Sequence, residues 1–111
     1  MAPPMKPARA ADIALAEGGG DRLPKLGALK DPSARVACLS KFAHHELCAV
    51  ELFAWALLAF PDAPPALRRG FVATLAEEQV HCRLYLERLE AHGARFGALP
   101  LSDYFWQHVA A

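Results

Sequence analysis

From Ser33 to Phe60 the chain contains no glycine and no proline, and Pro61-Asp62-Ala63-Pro64-Pro65 then stops it abruptly. That stretch fits one long α-helix, ended by prolines that lack the N–H and clash with the preceding turn. Asp31-Pro32-Ser33 supplies its start, a capping oxygen next to a proline whose fixed φ suits the first turn. A second long helix is predicted from Pro65 to His92, with Gly93 as its C-cap and Gly70 as a weak point inside it. Ala94 to Pro100 is a loop, and Ser102 or Asp103 caps a third helix that barely starts before Ala111. Residues 1–30, rich in Pro, Gly and Ala with a Gly18-Gly19-Gly20 run, read as a flexible or loosely draped arm. Residues 31–111 form the single helical domain that 111 residues allow. The fold class is all-α, a helical hairpin.

Winding the first helix at about 100° per residue places Leu39, Phe42, Ala43, Val50, Phe53, Leu57 and Phe60 within roughly 60° of Glu46. The same exercise on the second helix groups Leu67, Phe71, Leu75, Cys82, Tyr85 and Leu89 around Glu78, and His81, three residues on, shares that face. Glu46, Glu78 and His81 thus stand in the middle of two apolar stripes. His44 and Glu51 project to the opposite side as solvent-facing or interface groups, and His45 lies at the boundary as a candidate to support a ligand from behind. Cys82, Tyr85 and Phe53 read as core.

An ionised carboxylate on an apolar stripe loses several kcal/mol of solvation, and two close together also repel. A bound cation removes both penalties and favours the ionised ligand. The short connection makes the helices antiparallel, and Glu46 and Glu78 lie at similar distances from the break, so they meet at one level. Carboxylates with imidazole suit iron or manganese, whereas structural zinc more often recruits cysteines. The alternative for the same residues is a buried Glu–His hydrogen bond that sets helix pairing without metal.

Composition narrows the setting. Twelve basic residues balance twelve acidic ones, which argues against nucleic acid and membrane surfaces as partners, since both select an accumulated positive field. A hydrophobic fraction of 54% is high for so small a chain and implies a partner surface as well as a core. Three cysteines without C-x-x-C spacing point to a reducing, cytoplasmic environment. No run reads as apolar over the roughly 18 or more residues that a membrane span requires.

The runs Ala43-His44-His45-Glu46-Leu47-Cys48-Ala49-Val50-Glu51, Phe60-Pro61-Asp62 and Glu77-Glu78-Gln79-Val80-His81 occur in order. Arg88-Leu89-Glu90-Ala91-His92-Gly93, Phe96-Gly97-Ala98-Leu99-Pro100 and Phe105-Trp106 follow. As a set, over roughly Pro32 to Trp106, they resemble a ferritin-like family catalogued as domain of unknown function 455. The resemblance implies a four-helix bundle binding two metal ions through two Glu and two E-x-x-H motifs. Carried over by position, Glu46 is the first-helix ligand and Glu78 and His81 are the second-helix ligands. The sequence departs from the pattern at Ala98, where an acidic residue is usual, and in lacking the second Glu and second E-x-x-H. It therefore reads either as a piece of a longer protein or as a half-length form whose homodimer completes the ligand set. The expected protein is a di-iron oxidoreductase with two irons, or manganese, per completed bundle and a substrate that the sequence does not name. The competing expectation is a metal-free helical interaction module.

Overall fold

The computed structural model describes residues 6–18 and 22–109; Gly19, Gly20 and the end at Ala111 lie outside the described residues. Two long helices dominate. α1 covers Pro32–Ala59 and α2 covers Pro65–Ala91, with two short 3₁₀ turns, Ala11–Ile13 and Leu26–Lys30, before them. The Asp31 side chain accepts from the Ser33 N–H at 2.9 Å, satisfying one of the donors that a helix start leaves without a partner. That bond holds the Asp31 carboxyl below its ordinary pKa. At the far end α2 closes α1: Arg68 Nη1 donates to the Leu57 and Phe60 carbonyls at 2.9 and 2.8 Å, which the helix itself cannot satisfy. α2 ends in a Schellman turn, with Ala94 N–H on the Leu89 carbonyl at 3.0 Å and Gly93 N–H on that of Glu90 at 2.9 Å. Gly93 has φ +73°, the left-handed conformation this turn requires.

The helices form the expected hairpin. Phe42 meets Tyr85 and Phe53 meets Phe71, with ring centroids 5.5 and 5.7 Å apart, and the Cys82 thiol donates to the Ala43 carbonyl at 3.6 Å. Partners climb one helix as they descend the other, so the pair is antiparallel. By length and composition alone α1 is apolar enough to cross a membrane, with a window of mean hydropathy 1.2, which corrects the expectation that no run in the sequence is. Core helices of globular proteins pass the same test, and here α1 is packed against α2 on one side and the N-terminal segment on another.

That segment is the element the helical periodicity did not announce. Residues 6–18 lie as a strap on the face of α1 opposite Glu46, and Leu15–Ala16 (β1) pairs in parallel with Leu101–Ser102 (β2). Beyond β2 a short helix, α3, runs over Tyr104–Val109. Asp103 joins the two ends: buried, it accepts from Lys6 Nζ at 3.4 Å, Gly18 N–H at 3.2 Å and Gln107 Nε2 at 2.7 Å. Gly97, at φ +95°, lies so close to the strap that a Cβ there would stand 2.1 Å from the Asp12 carbonyl oxygen. The buried residues of α1 are Ser40, Ala43, His44 and Cys48. The face around His44 and Cys48 is therefore core under the strap, although winding the sequence had turned it outward.

Candidate metal centre

Glu46 sits midway along α1, and Glu78 and His81 occupy adjacent turns of α2. Because the hairpin is antiparallel and both carboxylates lie about equally far from the break, the three meet on the seam. One donor atom from each falls within 4.8 Å of the others. His81 Nδ1 is 3.5 Å from Glu78 Oε2 and 3.7 Å from Glu46 Oε2. Leu39, Leu84, Tyr85 and Arg88 border the same groove.

The burial expected for these groups is only partly met. The Glu46 and Glu78 side chains are 23% and 22% exposed and that of His81 is 50% exposed. The seam is a groove with one open flank, because α1 and α2 cover two sides of the ligand group and no further described element covers the third. Solvation at that flank reduces the burial penalty assigned from sequence, but like-charge repulsion persists. Two carboxylates at such a separation repel by roughly 1–4 kcal/mol between aqueous and protein-surface screening.

The donor set fits a metal ion. Oxygen and nitrogen ligands stand about 2.0–2.2 Å from a first-row ion, so pairs sharing one ion lie roughly 3 to 4.4 Å apart, and the 3.5 and 3.7 Å separations fall inside that range. Both are longer than the roughly 3 Å of a made N–H···O bond, so the arrangement suits a shared cation better than a Glu–His hydrogen bond. Two carboxylate oxygens and an imidazole nitrogen are the donors of iron and manganese sites.

The other sequence candidates lie elsewhere. His44 is 6% exposed and Glu51 is ion-paired with Arg9 of the strap; neither faces solvent. His45 is exposed and borders a hollow with Tyr104, Phe105 and His108, apart from the ligand group. Arg9 was not singled out from sequence. A lone arginine in a Pro- and Ala-rich stretch carries no period, and its only pointer is Glu51, the one charge between Leu47 and Ala59 of α1.

The model of a family described as "Protein of unknown function (DUF455)" matches residues 1–111, so the likeness extends over the strap as well as the helices. No curated protein and no solved structure matches the chain.

Proposed function

The chain belongs to the DUF455 family, and from that premise we propose that it is a metal-binding protein forming half of a ferritin-like four-helix bundle. Glu46, Glu78 and His81 would be its ligands to iron, with manganese the alternative ion. The observation that carries this reading is the convergence of the three donor atoms across the seam. Two acids and an imidazole from different helices gain little from meeting unless a cation lies between them.

The open flank supports the second half of the reading. Leu67 and Leu84 of α2 are exposed, as is Phe60 at the hairpin turn, and an apolar edge beside a half-covered polar site is the mark of an interface. A second copy related by a two-fold axis would bring another Glu, Glu and His to the groove and cover it. Further chain carrying the same motif would serve equally.

A pair of irons held by these residues would supply electrons to dioxygen or peroxide, which makes an oxidoreductase the leading activity. This chain's own contributions are separate from that chemistry. Glu46 and Glu78 would hold the cations, His81 would present a ring nitrogen, and Leu39, Leu84 and Tyr85 border the groove whose open flank a partner would close against water. Cys38 and Cys82 carry free thiols, in keeping with a cytoplasmic setting.

The test is iron binding by anaerobic equilibrium dialysis. Glu46→Ala, Glu78→Ala and His81→Ala should each weaken binding by at least the roughly 10- to 100-fold that loss of a supporting partner costs. Glu77→Ala, which removes an exposed carboxylate of the same helix, should leave it unchanged. Equal loss from Glu77→Ala and Glu78→Ala would mean adventitious iron, and the seam acids would then belong to a metal-free pairing surface.

A further inference from the structure

Outside the seam, a second cluster gathers side chains of metal-ligating type. His44, Cys48 and Glu51 recur at i, i+4 and i+7 on α1 and so stack along one face. All three turn toward a single buried positive charge, the Arg9 guanidinium, whose side chain is 3% exposed. Glu51 accepts from Arg9 Nε at 2.9 Å and from Nη2. His44 Nε2 lies 3.1 Å from Nη1, and Cys48 Sγ lies 3.7 Å from Nη2. Arginine only donates, so His44 turns an unprotonated Nε2 toward it. Burial by itself would lower the Arg9 pKa, but Glu51 and Cys48 outweigh it and hold the guanidinium above its ordinary value. Burial pushes the Cys82 thiol of α2 up, with Glu51 adding to the rise and Arg9 opposing it.

We propose that His44, Cys48 and Glu51 form a second cation site, held in this structure by Arg9 and open to a zinc-class divalent ion when the N-terminal strap withdraws. An imidazole nitrogen, a thiolate and a carboxylate are a thiophilic donor set, distinct in kind from the oxygen-rich seam. His44 Nε2 and Cys48 Sγ are 3.5 Å apart, within the span of nitrogen and sulfur ligands standing about 2.0–2.1 and 2.3 Å from one ion. With a guanidinium between them, the three donors are not drawn together as the seam donors are. Ion and strap therefore exclude one another. On binding, Cys48 releases its proton to solvent and Arg9 gives up Glu51.

The strap is suited to leaving. Apart from Arg9 it is held by a two-residue strand pair, by Asp103 and Ser102 at its end, and by the backbone approach of Gly97 to Asp12. It buries few apolar side chains, the character of segments that open at low cost. An ion that displaces Arg9 would free residues 6–18 and uncover the strap-bearing face of α1, so the site would convert metal supply into strap position. The inference is independent of the seam reading, because the two donor sets face opposite sides of α1.

Co²⁺ on the full chain tests it, because thiolate-to-cobalt charge transfer in the near ultraviolet reports sulfur ligation and the seam has no sulfur. Arg9→Ala should bind Co²⁺ with that absorption at least about tenfold more tightly than the parent, since removing the resident cation raises the binding-competent fraction. The band should vanish in Arg9→Ala/Cys48→Ser and persist in Arg9→Ala/Cys38→Ser. In the parent protein, which needs no variant to fold, Zn²⁺ should speed tryptic cleavage after Arg9 at least severalfold, and should still do so in Glu78→Ala. No band in folded Arg9→Ala, a band that survives Cys48→Ser, strap cleavage indifferent to Zn²⁺, or cleavage that depends on Glu78 would each overturn the proposal.

Discussion

At the scale of single residues, the chain concentrates charge in two places on α1, one turn and a half apart and on opposite faces. Glu46 looks across the seam to Glu78 and His81, while Glu51 looks back to Arg9. The second pair is the more deeply buried, and its two partners depend on each other. Removing one partner of a buried ion pair leaves an uncompensated charge, at a cost of about 3 kcal/mol. Arg9→Ala should therefore lower the urea-unfolding free energy by that order. Arg9→Met/Glu51→Leu, which removes both charges, should recover most of the loss; a double variant as unstable as the single would show that the pair is not what holds the strap. The seam trio was legible in the sequence because i and i+3 on one helix are neighbours, and because equal distances from a proline break set the register of two antiparallel helices. Arg9 was not legible: it meets Glu51 across 42 residues, a contact with no local signature.

Among elements, the helix boundaries follow from their caps. Asp31 binds the Ser33 N–H as a carboxylate, which lowers its pKa. A group with a lower pKa in the folded state binds fewer protons folded than unfolded. Its stabilisation is therefore complete above the unfolded value of about 3.9 and is lost as pH falls through the folded one. Asp31→Asn, which caps without a charge, should flatten this acid-side contribution, whereas Asp31→Ala should weaken α1 throughout; thermal melts from pH 2 to 6 would distinguish them. Two glycines separate local strain from contact. Gly93→Ala meets no neighbouring atom and should cost about 1 kcal/mol for the left-handed backbone alone. Gly97→Ala drives a methyl into the Asp12 carbonyl and should dislodge the strap, seen as faster cleavage at Arg9; equal protease resistance in the two variants would count against tight docking there. The strap layer stayed hidden because strands of two residues have no alternation to detect. The buried face of α1 was misassigned because that helix is apolar nearly all round, so winding gave the stripe's centre but not which flank another element would cover.

For the molecule as a whole, the hairpin leaves its polar seam open beside exposed Leu67 and Leu84. Covering that flank would bury apolar surface and exclude water from Glu46, Glu78 and His81 in one step. The family resemblance and the hairpin geometry agree on an all-α half-bundle, and metal binding and assembly are coupled in the proposal because the same surface serves both. Native mass spectrometry of protein loaded anaerobically with Fe²⁺ reads subunit number and iron count together. The account predicts a dimer carrying two irons, both lost on Glu78→Ala, and a monomer retaining iron at full affinity, or a dimer that holds none, would contradict it.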